Sequence, residues 1–425
     1  MSKALRNQLA KRRSGTPTGL CSVCSAHPWV VRAAAEQAAE TGSLLLIEAT
    51  SNQVNQFGGY TGMRPRDFRE FVLRHVAKAG LPAEKLILGG DHLGPNPWRG
   101  RSTQEAMQLA EAMVAEYVSA GFTKIHLDAS MALGGDSTPL SDETVAQRAV
   151  QLCQAAEAAR TAGEAPLYVI GTEVPVPGGA THALGGVEVT SAEAAQQTLE
   201  VHKHAFAKAG LEEVWPRVLA LVVQPGVEFD HDSVVSYDRQ KAQPLAAWLD
   251  RQPELIVFEA HSTDYQKASA YPELVEDGFA ILKVGPALTF AMREALYALA
   301  DMEVQLVPEP QQSSLARVVE DTMLRYPADW QTYYPGSAAE QHLLRVYSYS
   351  DRIRYFWHRP EIVAAVDRLI ANLSAVTIPG TMCSRYLPAQ YRRLRDGIIS
   401  PDPTSIVVDA VRDVLRIYAK ACNHE

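Results

Sequence analysis

The chain has 425 residues, 47% of them hydrophobic and 21% charged, with a formal net charge of -9 at pH 7. That length and composition bury a large core, and the acidic balance leaves no basic face for nucleic acid. The amino terminus, MSKALRNQLAKRRSG, is basic without a signal-peptide apolar stretch, and no run approaches the roughly 20 residues of a membrane span, so a cytoplasmic protein is expected.

Eight short apolar runs follow in chain order, each bounded by chemistry-bearing residues. GLCSVC (19–24) precedes Ser25 and His27, and LLLIE (44–48) precedes Asn52. LILGGDHLG (86–94) sets an acid and an imidazole side by side, Asp91 and His92. KIHLD (124–128) ends on Asp128, YVIGTE (168–173) on Glu173 and LALVVQ (219–224) on Gln224. LIVFE (255–259) comes before His261 and Ser262, and AILKVG (280–285) carries Lys283 and Gly285. Between the runs lie helical patterns. Ser102 and Glu105 spell a capping box before Ala106, Leu109, Ala110, Met113, Val114, Tyr117 and Val118, which repeat at helical spacing. Ser141 opens a second such helix, and Ser191 opens a third that closes at Gly210.

Strands alternating with helices predict βα units, and eight of them predict an α/β fold of the (β/α)8 TIM-barrel type over residues 1–302. An open doubly wound sheet would need a glycine fingerprint after its first strand, where this chain has CSVCSAHP. After Met302 the composition changes. VPEPQQSS (307–314) leads into helical and aromatic sequence, with helices expected over 314–325, 337–346, 360–373 and 403–421. Residues 303–425 are therefore read as a helical cap, in which SYSDRIRYFW (348–357) offers Arg352 and Arg354 as a phosphate clamp. Five cysteines, at 21, 24, 153, 383 and 422, form no disulfide framework, and the Cys21/Cys24 pair on a strand reads as structural.

In a parallel barrel the catalytic groups stand at the carboxyl ends of the strands. Asp91, His92, Asp128, Glu173, Gln224, Glu259, His261 and Lys283 are thus expected to converge above one mouth. A lone buried histidine or aspartate is more often a hydrogen-bonded core residue, but eight polar strand ends argue for a site. The fourth strand adds to this, because Lys124, His126 and Asp128 alternate with Ile125 and Leu127.

LGGDHLGPN, IHLDASM, YVIGTEVPVPGG, VVQPGVEFDH, FEAHSTDYQ, ILKVGPALTFAMREAL and SYSDRIRYFW resemble, from about residue 15 to 420, the tagatose-bisphosphate aldolase subunit family called GatZ or KbaZ. That family looks like a relative of the metal-dependent class II ketose-bisphosphate aldolases. The resemblance implies Asp91 as the proton-transfer acid/base, and His92 and His261 as metal ligands. It implies phosphate loops at 260–262 and 285–287. The further metal histidine expected after strand six is missing, so the resemblance leaves Gln224, Glu228, His231 or Glu173 to replace it. Glu173 is taken as the third ligand and as catalytic with Asp91 and Asp128. Asn52, Gln224, Ser262, Lys283, Gly285, Arg352 and Arg354 are taken as substrate contacts. A divalent ion, zinc or manganese, suits an imidazole and carboxylate set.

The reading preferred from the sequence is a ketohexose 6-phosphate 4-epimerase interconverting D-tagatose 6-phosphate and D-fructose 6-phosphate by metal-assisted retro-aldol chemistry. The alternative is a noncatalytic subunit that stabilises a class II D-tagatose-1,6-bisphosphate aldolase; an aldolase competent alone ranks third. Expected partners are a phosphorylated ketohexose, with a catalytic aldolase subunit or further copies of this chain left open, and neither nucleic acid nor membrane.

Overall fold

The computed structural model describes residues 2–161, 163–172 and 187–423. Ten strands are present among them: β1 Leu20–Cys24, β2 Leu45–Thr50, β3 Leu86–Leu93, β4 Lys124–Leu127, β5 Leu167–Ile170, β6 Val218–Val223, β7 Glu228–Phe229, β8 Val234–Val235, β9 Val257–Ala260 and β10 Phe279–Val284. All but β7 and β8 pair in parallel, in the order β1-β2-β3-β4-β5-β6-β9-β10, and β10 closes on β1. The expected eight-stranded barrel is therefore present. The sequence reading missed β7 and β8, an antiparallel hairpin in the connection from β6 to β9.

Helix starts follow the capping chemistry. The hydroxyls of Ser102, Ser141 and Ser191 accept the N–H groups of Glu105, Thr144 and Ala194, opening helices Thr103–Ser119, Asp142–Ala158 and Ala192–Lys208. Each such cap is worth about 1 kcal/mol. Glu105 does not complete a capping box, because its carboxylate pairs with Arg101 instead.

The barrel interior has two layers. Towards the amino-terminal ends of the strands, Leu20, Leu46, Ile87, Leu167, Leu219, Val257 and Ile281 form a separate apolar cluster, sealed from below by Leu5 and Leu9 of helix Ser2–Ala10. The basic amino-terminal segment thus contributes a plug, whose two leucines are too few to give an apolar run in sequence. Towards the carboxyl-terminal ends the interior is charged: Glu48, Lys124, Glu259 and Lys283 are buried there.

Beyond helix Pro286–Leu306 the chain is helical, as expected, with helices Leu315–Arg325, Ala338–Tyr347, Pro360–Ser374 and Pro403–Asn423 close to their anticipated bounds. Gly380–Tyr386 and Pro388–Arg395 were not anticipated; they are short and begin with the Gly and Pro residues that read as loop. Helix Pro403–Asn423 packs on the outside of the barrel, against Pro286–Leu306, Pro28–Thr41 and β1. The mouth is met instead by Arg354, Tyr355, Trp357 and His358.

Candidate active site

A cavity of about 440 Å³ opens at the carboxyl-terminal end of the barrel, with Asp91, His92, His261 and Lys283 among its lining residues. Its floor is a chain of ion pairs. Lys124 Nζ lies 2.8 Å from Glu48 Oε1 and 2.7 Å from Glu259 Oε2. Lys283 Nζ pairs with Glu48 and lies 2.8 Å from Asp91 Oδ1 and 3.6 Å from Glu259 Oε1. Backbone choice makes room for this, since a Cβ at Gly89 would collide with the Glu48 carboxylate. Burial alone would raise Asp91 and Glu259. The neighbouring His92 and Lys283 charges hold Asp91 well below the usual carboxylate range, and Lys124 and Lys283 do the same for Glu259. Both lysines are correspondingly raised against burial by the carboxylates around them.

Three imidazoles converge above this floor. Ring centroids are 4.7 Å apart for His92 and His261, 5.2 Å for His92 and His126, and 5.4 Å for His126 and His261. Each ring has a carboxylate on one nitrogen. His92 Nδ1 is 2.8 Å from Asp128 Oδ2, His126 Nδ1 is 3.2 Å from Asp91 Oδ1, and His261 Nε2 is 3.1 Å from Glu259 Oε1. His126 Nδ1 also accepts the backbone N–H of His92 at 3.2 Å. The two contacts ask for opposite tautomers, since the His92 N–H needs a lone pair on Nδ1 and the Asp91 carboxylate needs a proton there. His126 Nε2 is buried and has no hydrogen-bond partner among the described residues. Burial lowers His261 to about 4, so it is neutral near pH 7, whereas Asp91 and Asp128 raise His92 against the effect of burial.

These residues fit a divalent cation. Metal-bound histidines characteristically give their second ring nitrogen to a carboxylate, and each of the three has a carboxylate within hydrogen-bond distance of one ring nitrogen. Four buried carboxylates (Glu48, Asp91, Asp128, Glu259) outnumber the two ammonium groups, and the excess of negative charge suits a cation even with His92 protonated. Asp91, His126, Glu259 and His261 offer ligand atoms within 4.8 Å of one another. His92 is not in that group; lysines hold the group's two carboxylates, which leaves His126 and His261 as its imidazole donors, with the His92 ring 4.7 Å from that of His261. His92 and Ser262 stand at φ 46 and 53, a left-handed backbone unusual away from glycine and concentrated at functional sites.

Of the residues singled out in sequence, Asn52, Asp91, His92, His261, Ser262, Lys283, Gly285 and Arg354 line the cavity. Asp128 reaches it through His92, also holding Ser130 Oγ at 2.8 Å. Glu173 lies outside the described residues. Three replacements considered for the missing histidine are engaged elsewhere. Gln224 Oε1 accepts the N–H groups of Gly226 and Val227, Glu228 Oε1 accepts that of Phe229, and His231 Nδ1 meets Ser348 Oγ at 3.1 Å. The third imidazole is His126 from β4, which the alternation of Lys124, His126 and Asp128 could have revealed. Nor does the structure form the arginine pair. Arg354 lines the cavity, while Arg352 stacks 3.4 Å over Tyr333 with its Nε on the Asp329 carbonyl. Gly285 does not offer its N–H to the cavity, because that group donates to Asp264. Cys24 Sγ lies 3.6 Å from Asp91 Oδ2, whereas Cys21 belongs to the outer layer with Cys422. Three positions apart on a strand, the two thiols face opposite ways and form no joint site.

A family model for D-tagatose-1,6-bisphosphate aldolase subunits of the GatZ/KbaZ-like type matches residues 5–423. The D-tagatose-1,6-bisphosphate aldolase subunit GatZ of Salmonella heidelberg strain SL476 is 50% identical over 98% of this chain and 99% of its own length. The subunit of the same name from Salmonella gallinarum is 49% identical, also over 98% of this chain and 99% of its own. A crystal structure of a probable tagatose 6 phosphate kinase from Sinorhizobium meliloti 1021 superposes with a TM-score of 0.88 at 49% identity, over 95% of this chain and 100% of that one. With the barrel, the polar strand ends and a match along nearly the whole length, the chain belongs to the GatZ/KbaZ-like family of D-tagatose-1,6-bisphosphate aldolase subunits.

Proposed function

We propose that this protein is itself an enzyme, a ketohexose 6-phosphate 4-epimerase interconverting D-tagatose 6-phosphate and D-fructose 6-phosphate. The observation that carries this reading is the proton-transfer set under the cavity: Asp91 against Lys283 and His126, beside the His92–Asp128 pair. Burying ion pairs costs several kcal/mol per ion before their attraction is counted, and apolar side chains would fill a purely structural barrel at least as well. A scaffold alone gives no reason to keep them.

C4 of a 2-ketose is not adjacent to the carbonyl, so its hydrogen is not acidic and cannot be removed directly. Cleavage of the C3–C4 bond avoids this. Asp91 takes the C4 hydroxyl proton, C4 becomes an aldehyde, and the bonding pair moves through C3 to the C2 oxygen as an enediolate. The aldehyde turns about C4–C5, the C3–C4 bond re-forms on its other face, and Asp91 returns the proton. His92, His126 and His261 would hold a divalent ion, zinc or manganese, which when bound supplies Lewis-acid stabilisation of oxygen-centred negative charge. Arg354 supplies a cation for the phosphate, and Trp357 and Tyr355 screen the mouth from water.

Incubation of the metal-loaded protein alone with D-fructose 6-phosphate should yield D-tagatose 6-phosphate, with hydrogen retained at C4 in deuterium oxide. Asp91→Asn should lower the rate by on the order of 100- to 10,000-fold. Deuterium at C4 would exclude the cleavage route. The name of the Salmonella relatives, subunit of an aldolase, favours a second reading as an accessory chain. No turnover by this chain alone, with gain of activity in a partner aldolase, would establish that reading.

A further inference from the structure

Helix Pro286–Leu306 begins directly after β10, where backbone N–H groups of a barrel loop commonly bind phosphate. Its first donors can be followed one by one. Pro286 has no N–H. The N–H groups of Gly285 and Ala287 donate to Asp264 Oδ1 at 3.1 and 2.8 Å, and that of Leu288 donates to the Gly285 carbonyl at 3.1 Å. None of the four residues Gly285 to Leu288 leaves an N–H for a ligand.

Asp264 comes from the loop after β9, is buried, and lines the same cavity as Lys283 and Gly285. Its carboxylate stands where a phosphate on this turn would have to sit. Burial raises Asp264 to about 6, with Arg354 acting in the opposite sense, and burial together with the Asp264 charge raises a second carboxyl, Glu228, to about 7. A phosphate entering here would lose its amide donors and meet like charge.

We infer that Asp264 is a specificity residue that closes the phosphate cradle after β10 with the protein's own carboxylate. The end of the ligand beside Gly285 must be uncharged, so the site selects a ketose monophosphate and rejects a ketose carrying phosphate at both ends. The identity of the sugar rests on the proposed function above; the closed cradle rests on the hydrogen bonds alone.

Calorimetric titration of the full-length protein with D-fructose 6-phosphate, D-fructose 1,6-bisphosphate and inorganic phosphate tests this. The wild type should bind the monophosphate about tenfold or more tighter than the bisphosphate, the scale of one charge-assisted hydrogen bond. Asp264→Ala frees both N–H groups, and should remove that preference and gain binding of inorganic phosphate. Asp264→Asn keeps an acceptor oxygen on the two N–H groups and should gain no phosphate binding. Equal wild-type affinity for the two sugars would overturn the inference even if the alanine variant fails to fold. So would a folded Asp264→Ala that gains no phosphate. If the wild type binds neither sugar while Asp264→Ala gains phosphate, the cradle stands and the ketose reading falls; the reverse pattern spares the ketose reading alone.

Discussion

His126 sits in the middle of β4, between Ile125 and Leu127, and strand alternation turns it inward beside Lys124. Its Nδ1 faces Asp91 and its Nε2 has no partner among the described residues, an arrangement that costs free energy in a buried site unless a ligand completes it. A bound divalent ion would do so. Metal analysis of the purified protein should therefore find about one equivalent of zinc or manganese, with His126→Ala as depleted as His92→Ala and His261→Ala. Asp128→Asn, which leaves His92 in place but weakens its carboxylate partner, should lower metal affinity by about 10- to 100-fold. Equal metal content in wild type and His126→Ala would assign that imidazole to the core.

At the scale of elements, the segment between helices Ala338–Tyr347 and Pro360–Ser374 divides its two arginines between different tasks. Arg354 donates to the Asp351 carbonyl and to Tyr355 while lining the cavity; Arg352 is sandwiched by Tyr333 and Tyr355 away from it. Asp351 is anchored elsewhere, with Oδ1 3.1 Å from Arg293 Nη1 and Oδ2 2.5 Å from Thr289 Oγ1 on helix Pro286–Leu306. That contact fixes the segment to the helix that follows the last barrel strand. Arg354→Ala should weaken sugar phosphate binding by about 1.5 to 3 kcal/mol, the range for hydrogen bonds to charged groups. Arg352→Ala should instead lower thermal stability and leave the affinity of the folded variant unchanged, because it loses cation–π and packing contacts. Calorimetry and melting curves on the two variants separate these outcomes.

For the molecule as a whole, the barrel is finished differently at its two ends. The carboxyl-terminal end is polar and open to the cavity, while helix Ser2–Ala10 seals the amino-terminal end with Leu5 and Leu9. Full burial of a leucine side chain contributes about 1.5 to 3 kcal/mol. Leu5→Ala with Leu9→Ala should thus cost on the order of 4 to 8 kcal/mol once the cavities they leave are included. Urea unfolding should show a lower midpoint, with the far site changed only through that loss. An unaltered midpoint would mean that the helix is dispensable to the fold.

The sequence alone determined the barrel, because strand and helix periods and serine caps are local properties that survive without a partner. It also placed Asp91, His92, His261 and Lys283 together, since the ends of parallel strands must share one rim. The plug was hidden, because two leucines four residues apart acquire meaning only when a ring of seven apolar side chains closes above them. His126 was legible only as an inward-facing residue of β4: strand alternation does not distinguish a ligand-ready imidazole from a core one, and the decision came from Asp91 and His92 on β3 and from His261 just after β9. Likewise, only the folded chain could show that Arg352 turns onto Tyr333 and that Asp264 takes the amides of Gly285 and Ala287. Those contacts join residues 19 to 23 positions apart through loop geometry, on which the local pattern is silent.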